Sequence, residues 1–147
     1  MSVITDRRKL VELSQSLPAD QRAHVDVASL LTLAAHAAQR RELEHAANIL
    51  QGVLVVDPDH VGAWTLLGQV EQQLGEGEPA AEAYATALML DDADLDTAMT
   101  LAELHAAAGR TGSARALLDW LVLEVDDAPE LLERARVLAA KLAEVAP

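Results

Sequence analysis

Laid against itself, the chain repeats every 34 residues. The clearest copy spans residues 61–94 and carries Trp64, Leu67, Gly68, Gly75, Ala80, Tyr84 and Ala87. A shift back gives residues 27–60, where Leu30, Leu33, Ala34, Ala46, Leu50, Val53 and Pro58 fill the pattern. A shift forward gives residues 95–128, with Ala98, Leu101, Ala102, Gly109, Ala114, Leu118 and Leu121. Neither step needs an insertion or a deletion. A period of this length marks stacked supersecondary units, each too small to bury its apolar face alone. Alanine and leucine dominate, and the only aromatics are Trp64, Tyr84 and Trp120. Such a composition favours helices over strands. The chain is therefore expected to be all-α, one domain of paired helices, over about 6–16, 19–40, 44–56, 61–74, 79–90, 95–108, 112–125 and 129–145.

Each recurring slot has a physical task. Ala34, Gly68 and Ala102 lie on the first helix of a pair, and Ala46, Ala80 and Ala114 on the second. Small side chains there let two helices approach toward the short end of the usual spacing of about 8–10 Å. Gly75 and Gly109 suit a left-handed residue that ends a first helix, whereas Arg41 occupies the same place at a conformational cost. Pro79 fits the start of a second helix and Pro58 follows one. Asp127 to Glu130 has capping-box spacing ahead of the last helix. The helices at both ends are expected to cap the repeats, because terminal units expose an apolar face.

Charge and residue types narrow the function. The net charge is −13, and residues 42–109 hold thirteen carboxylates with no lysine or arginine. Such a centre repels nucleic acid and anionic lipid and attracts a basic partner. Without cysteine the chain has neither disulfides nor thiolate metal sites. The five histidines form no H-x-x-x-H or H-E-x-x-H pair. The run from Asp91 to Asp96 lacks the glycine and terminal glutamate of a calcium loop, and Gly75-Glu76-Gly77 is too acidic to cradle phosphate. No enzyme, metal or cofactor is expected. No apolar run approaches the roughly 18–20 residues of a membrane span, and the N-terminus lacks an apolar leader. A cytoplasmic, soluble protein is expected.

The second copy resembles the tetratricopeptide pattern W-x2-L-G-x2-Y … A-x3-F … P, with Glu71 in place of the first tyrosine and Asp92 in place of the proline. The resemblance implies stacked helix pairs forming a right-handed superhelix, with a peptide-binding groove lined by the first helices. Carried onto this chain, the groove residues are Leu31, Ala35 and Ala38, then Thr65, Gln69 and Gln72, then Asp96, Met99, Glu103 and Ala106. Glutamine amides can bond an extended backbone, the apolar residues can receive client side chains, and Asp96 and Glu103 can meet a lysine or arginine. Members that grip the acidic tails of heat-shock chaperones place cations in slots that here hold Leu31, Ala35, Leu66, Asp96 and Thr100. No such tail is expected to bind.

Val55-Val56-Asp57, Leu67-Gly68, Leu88-Met89-Leu90-Asp91, Leu101-Ala102-Glu103-Leu104 and Gly109 also resemble the chaperones of type III secretion translocators. These have a similar length, three repeats, an N-terminal helical extension and a C-terminal helix. The resemblance implies a chaperone that holds a hydrophobic, basic or amphipathic client and dimerises through its N-terminal helices. The alternative is an adaptor in the assembly of a bacterial motility, pilus or envelope machine.

Overall fold

The computed structural model describes residues 6–145, with side chains through residue 144. Residues 1–5, the start of the N-terminus expected to lack an apolar leader, lie outside the described residues. The described regular elements are all helical: α1 (Arg7–Ser16), α2 (Ala19–Ala23), α3 (Val27–Gln39), α4 (Leu43–Val56), α5 (Val61–Gln73), α6 (Gly77–Leu90), α7 (Leu95–Ala107), α8 (Thr111–Glu124) and α9 (Pro129–Val145). They form two compact units divided after Leu90.

In the first unit, α3 pairs with α4 and α5 with α6, while α1 packs on α4. The core is built from slots of the repeat. Ala34, Ala46, Leu50, Trp64, Leu67 and Ala80 are all fully buried. In the second unit α7 pairs with α8, and α9 packs on both. The buried stripe Leu131, Ala135 and Leu142 runs along one side of α9 at helical spacing.

The turns between paired helices share one geometry. Arg41, Gly75 and Gly109 have φ of 67°, 80° and 80°. At each, two amides close back on the preceding helix: Arg41 N–H to Ala38 O (3.0 Å) and Glu42 N–H to Ala37 O (2.9 Å), then Gly75 to Gln72 and Glu76 to Glu71, then Gly109 to Ala106 and Arg110 to His105. This is the Schellman termination, which satisfies carbonyls that the helix leaves open. Arg41 alone adopts it with a side chain, whose Nη1 donates to Gln73 Oε1 at 3.4 Å. Relief of left-handed strain, about 1 kcal/mol or more, exceeds or offsets the added freedom of glycine in the unfolded chain, about 0.4–1 kcal/mol. Arg41→Gly is therefore expected to be neutral or stabilising by up to about 1 kcal/mol, and Gly75→Ala and Gly109→Ala destabilising by about 1 kcal/mol each. Denaturant midpoints of the three variants check this.

Two expectations are corrected. The helix foreseen over 19–40 is broken at residues 24–26, because Asp26 caps α3. Its Oδ1 accepts from Ser29 N–H (3.1 Å) and its Oδ2 from the Ser29 hydroxyl (2.6 Å), and these bonds hold the Asp26 carboxyl below the usual range. The same place in the next two repeats is also a cap: His60 Nδ1 accepts from Ala63 N–H (3.1 Å), and Asp94 binds Thr97 as Asp26 binds Ser29. The capping box foreseen at Asp127 is one residue out of register. The carbonyl of Ala128 takes the amide of Leu132 at 3.0 Å, leaving Asp127 outside the helix.

Candidate functional site

The ten groove residues fall on three first helices, and the structure treats them unequally. On α3, Leu31, Ala35 and Ala38 are half-buried, at spacings of four and three that align them along one side. On α5, Thr65, Gln69 and Gln72 take the same slots, and α3 and α5 are packed together. The Thr65 hydroxyl is spent inside its helix, donating to Val61 O at 3.1 Å. Gln69 is exposed, with no hydrogen bond among the described residues. Gln72 is exposed, and its Oε1 accepts from the Tyr84 hydroxyl at 3.1 Å, which orients the amide and leaves the NH2 group to serve as a donor. Burial pushes the Tyr84 phenol up to about 12, so it remains a donor at any physiological pH.

In the second unit the same slots hold Met99, Glu103 and Ala106, and Asp96 precedes Met99 by three residues. Asp96 is exposed and Ala106 half-buried. Met99, expected to receive apolar side chains, is completely buried and closed to a ligand. Glu103, expected to meet a client cation, is already paired with Arg134 of α9. Among the remaining clamp slots, Leu66 and Thr100 are half-buried, and the Thr100 hydroxyl donates to Asp96 O at 3.0 Å.

One residue of this region stands outside the expected groove set, although the sequence marks it as a departure from the repeat pattern. Glu71, between Gln69 and Gln72 on α5, is only 4% exposed. Burial, and secondarily the charge of Glu76, raises its carboxyl above the ordinary range. Ala37 and His105 hold the same slot in the other repeats, and His105 Nδ1 accepts from Arg110 Nε at 2.8 Å. The raised pKa means that the folded chain keeps this proton to higher pH than the unfolded chain. Its penalty is absent at a pH below the unfolded value, grows as pH rises through the window between the two values, and is complete above the folded one. Glu71→Gln is expected to stabilise at neutral pH and to lose that advantage near pH 4, as melting curves across the range would record.

The described residues bring together no group of three or more histidines and carboxylates placed to hold a metal ion, and no described helix is long and apolar enough to cross a membrane. No protein-family model matches the sequence. Cellulose synthase operon protein C of Escherichia coli (strain K12) is 33% identical over 110 residues, 74% of this chain, but the match spans 9% of that protein's length. The Yersinia enterocolitica type III secretion chaperone SycD, solved in complex with a peptide of the translocator YopD, has a similar fold, with a TM-score of 0.69, 20% identity, and coverage of 88% of this chain and 95% of that one. The first TPR of Spaghetti (RPAP3), solved bound to an HSP90 peptide, gives a TM-score of 0.71 at 15% identity, over 82% and 98% of the two chains. The chain has the tetratricopeptide-repeat fold. Its small-residue slots, Schellman turns and paired helices are thus those of tetratricopeptide hairpins, and its likeness to translocator chaperones is one of fold.

Proposed function

We propose that this tetratricopeptide-repeat chain is a non-catalytic binding module that holds an extended protein segment against its first helices, acting as a cytoplasmic chaperone for a secreted client with an apolar, basic or amphipathic segment. The observation that carries this is the α3–α5 face. Half-buried Leu31, Ala35 and Ala38 offer apolar contact beside Gln69 and Gln72, whose amides can pair with the N–H and C=O groups of an extended backbone. The fold shared with SycD, a chaperone solved with a translocator peptide, supports the reading. The solved dimer of SycD supports self-association, and the N-terminal helices are the surface proposed for it.

The test is capture from native lysate by wild type and by an Ala35→Arg/Gln69→Arg variant with unchanged circular dichroism. Loss of the client from the variant is expected, and equal capture would overturn the proposed face. Calorimetry with a peptide ending in an acidic heat-shock tail is expected to show no micromolar binding, because no described clamp slot is cationic.

The likeness to cellulose synthase operon protein C favours a second reading, a repeat segment that scaffolds an envelope machine. Co-expression separates the two. A chaperone makes an otherwise insoluble client soluble, whereas a scaffold joins partners that are soluble without it.

A further inference from the structure

Trp120 breaks the repeat. Gly52 and Thr86 stand at its place in the other two copies, so no packing task common to the repeats calls for an indole there. In the second unit it lines a cleft of about 330 Å³ together with Asp92, Ala93, Leu95 and Glu124. Helices α7 and α8 are paired across the Gly109 turn, which puts the start of α7 and the end of α8 at the same end of the hairpin. The indole is half-buried. Asp92 and Glu124, from different elements, are exposed, and neither has a hydrogen bond or ion pair among the described residues. The segments that supply the cleft, 91–96 and 119–127, contain no lysine or arginine. The open carbonyls that end α8 add negative potential.

We infer that this cleft takes a single cationic side chain, arginine or lysine, of a basic protein partner, seated on the Trp120 ring between the Asp92 and Glu124 carboxylates. A tryptophan face is the best of the aromatic surfaces for a cation, and partial desolvation strengthens the attraction. Two unpaired carboxylates of one sign in a mostly polar cleft suit a charged head, and the indole that shares the cleft offers its ring to the stem. The site joins the start of α7 to the end of α8 within the second unit and shares no residue with the α3–α5 face, so it is tested apart from the client reading.

The two tryptophans provide the measurement. The Trp64 indole is buried and bonded to Pro58 O, whereas Trp120 lines the cleft. Titration with a tetra-arginine peptide, followed by the indole N–H resonances, is expected to move the Trp120 signal saturably and leave that of Trp64 in place. Asp92→Asn/Glu124→Gln and, separately, Trp120→Leu are each expected to weaken binding about tenfold or more. A control with the same change in charge on α9, Glu130→Gln/Glu133→Gln, is expected to change it by no more than about twofold. Equal weakening in the control would mean that the peptide senses only net charge and would overturn the inference, as would an unmoved Trp120 signal. Spermine binding as tightly as the peptide would overturn the choice of a protein side chain in favour of a polyamine.

Discussion

Trp64→Ala is expected to remove about 3–5 kcal/mol of stability, as full truncation of a buried tryptophan does. Trp64 heads the fully buried side chains of the molecule by volume, and it shares a core with Leu50, Leu54 and Leu67. Its Nε1 also donates to Pro58 O at 2.7 Å. One side chain thus fills the interior of the first unit and fastens the turn through which α4 leads into α5. Leu30 and Ala98 stand at this slot in the other repeats, so repeat two concentrates there a volume that its neighbours do not carry. Trp64→Phe keeps most of the apolar burial and gives up the hydrogen bond, an expected loss nearer 1–2 kcal/mol, on the order of one such bond plus imperfect packing. Domains of this size are stable by about 5–15 kcal/mol, so the alanine variant is expected to be marginal. Because Thr65, Gln69 and Gln72 are carried on the same helix, client capture is expected to fall with it. Guanidinium unfolding followed by circular dichroism separates the cases. Similar midpoints for wild type and Trp64→Ala would show that the indole contributes little, contrary to its burial.

The repeat made much of this architecture readable. Gly75 and Gly109, placed by a shift of 34, are the left-handed turn residues, and Arg41 takes the same backbone conformation because the turn requires it. The break before α3 was harder to see, since Val25, Val27 and Leu30 continue an apolar pattern across it. Its signal was nonetheless present: Asp26-x-x-Ser29 lies two periods from Asp94-x-x-Thr97, and the two caps make the same bonds. The candidate site was readable only in direction. A slot specifies an angle around a helix axis but not what covers it, so Leu31, Thr65 and Met99 share a slot and differ in exposure. Glu103 meets Arg134, a partner 31 residues onward in α9, beyond the reach of any periodicity within the repeats. Glu71 was visible as a departure from the tetratricopeptide pattern, but its burial was not.

The same logic of slots yields the second large effect, Gly68→Ala. A Cβ added at Gly68 would lie 2.7–2.9 Å from three carbons of the Tyr84 ring. The ring is buried, and its hydroxyl is bonded to Gln72, so it cannot swing aside without losing that bond. Overpacking of this kind costs about 1–3 kcal/mol. The other repeats solve the same crossing differently, pairing Ala34 with Leu50 and Ala102 with Leu118 sixteen residues on, where repeat two pairs Gly68 with Tyr84. All of these positions are buried. A methyl on the first helix therefore goes with a leucine on the second, and a bare backbone with a flat aromatic ring. Tyr84→Leu alone is expected to destabilise, because it leaves space over Gly68 and removes the bond to Gln72. In a Gly68→Ala background it is expected to recover most of the loss, with a coupling of about 1–2 kcal/mol between the two sites. Denaturant unfolding of the two single variants and the double variant measures that coupling. Additive losses would mean that the ring and the glycine do not constrain each other, and that the small-residue slot is not what sets the approach of α5 to α6.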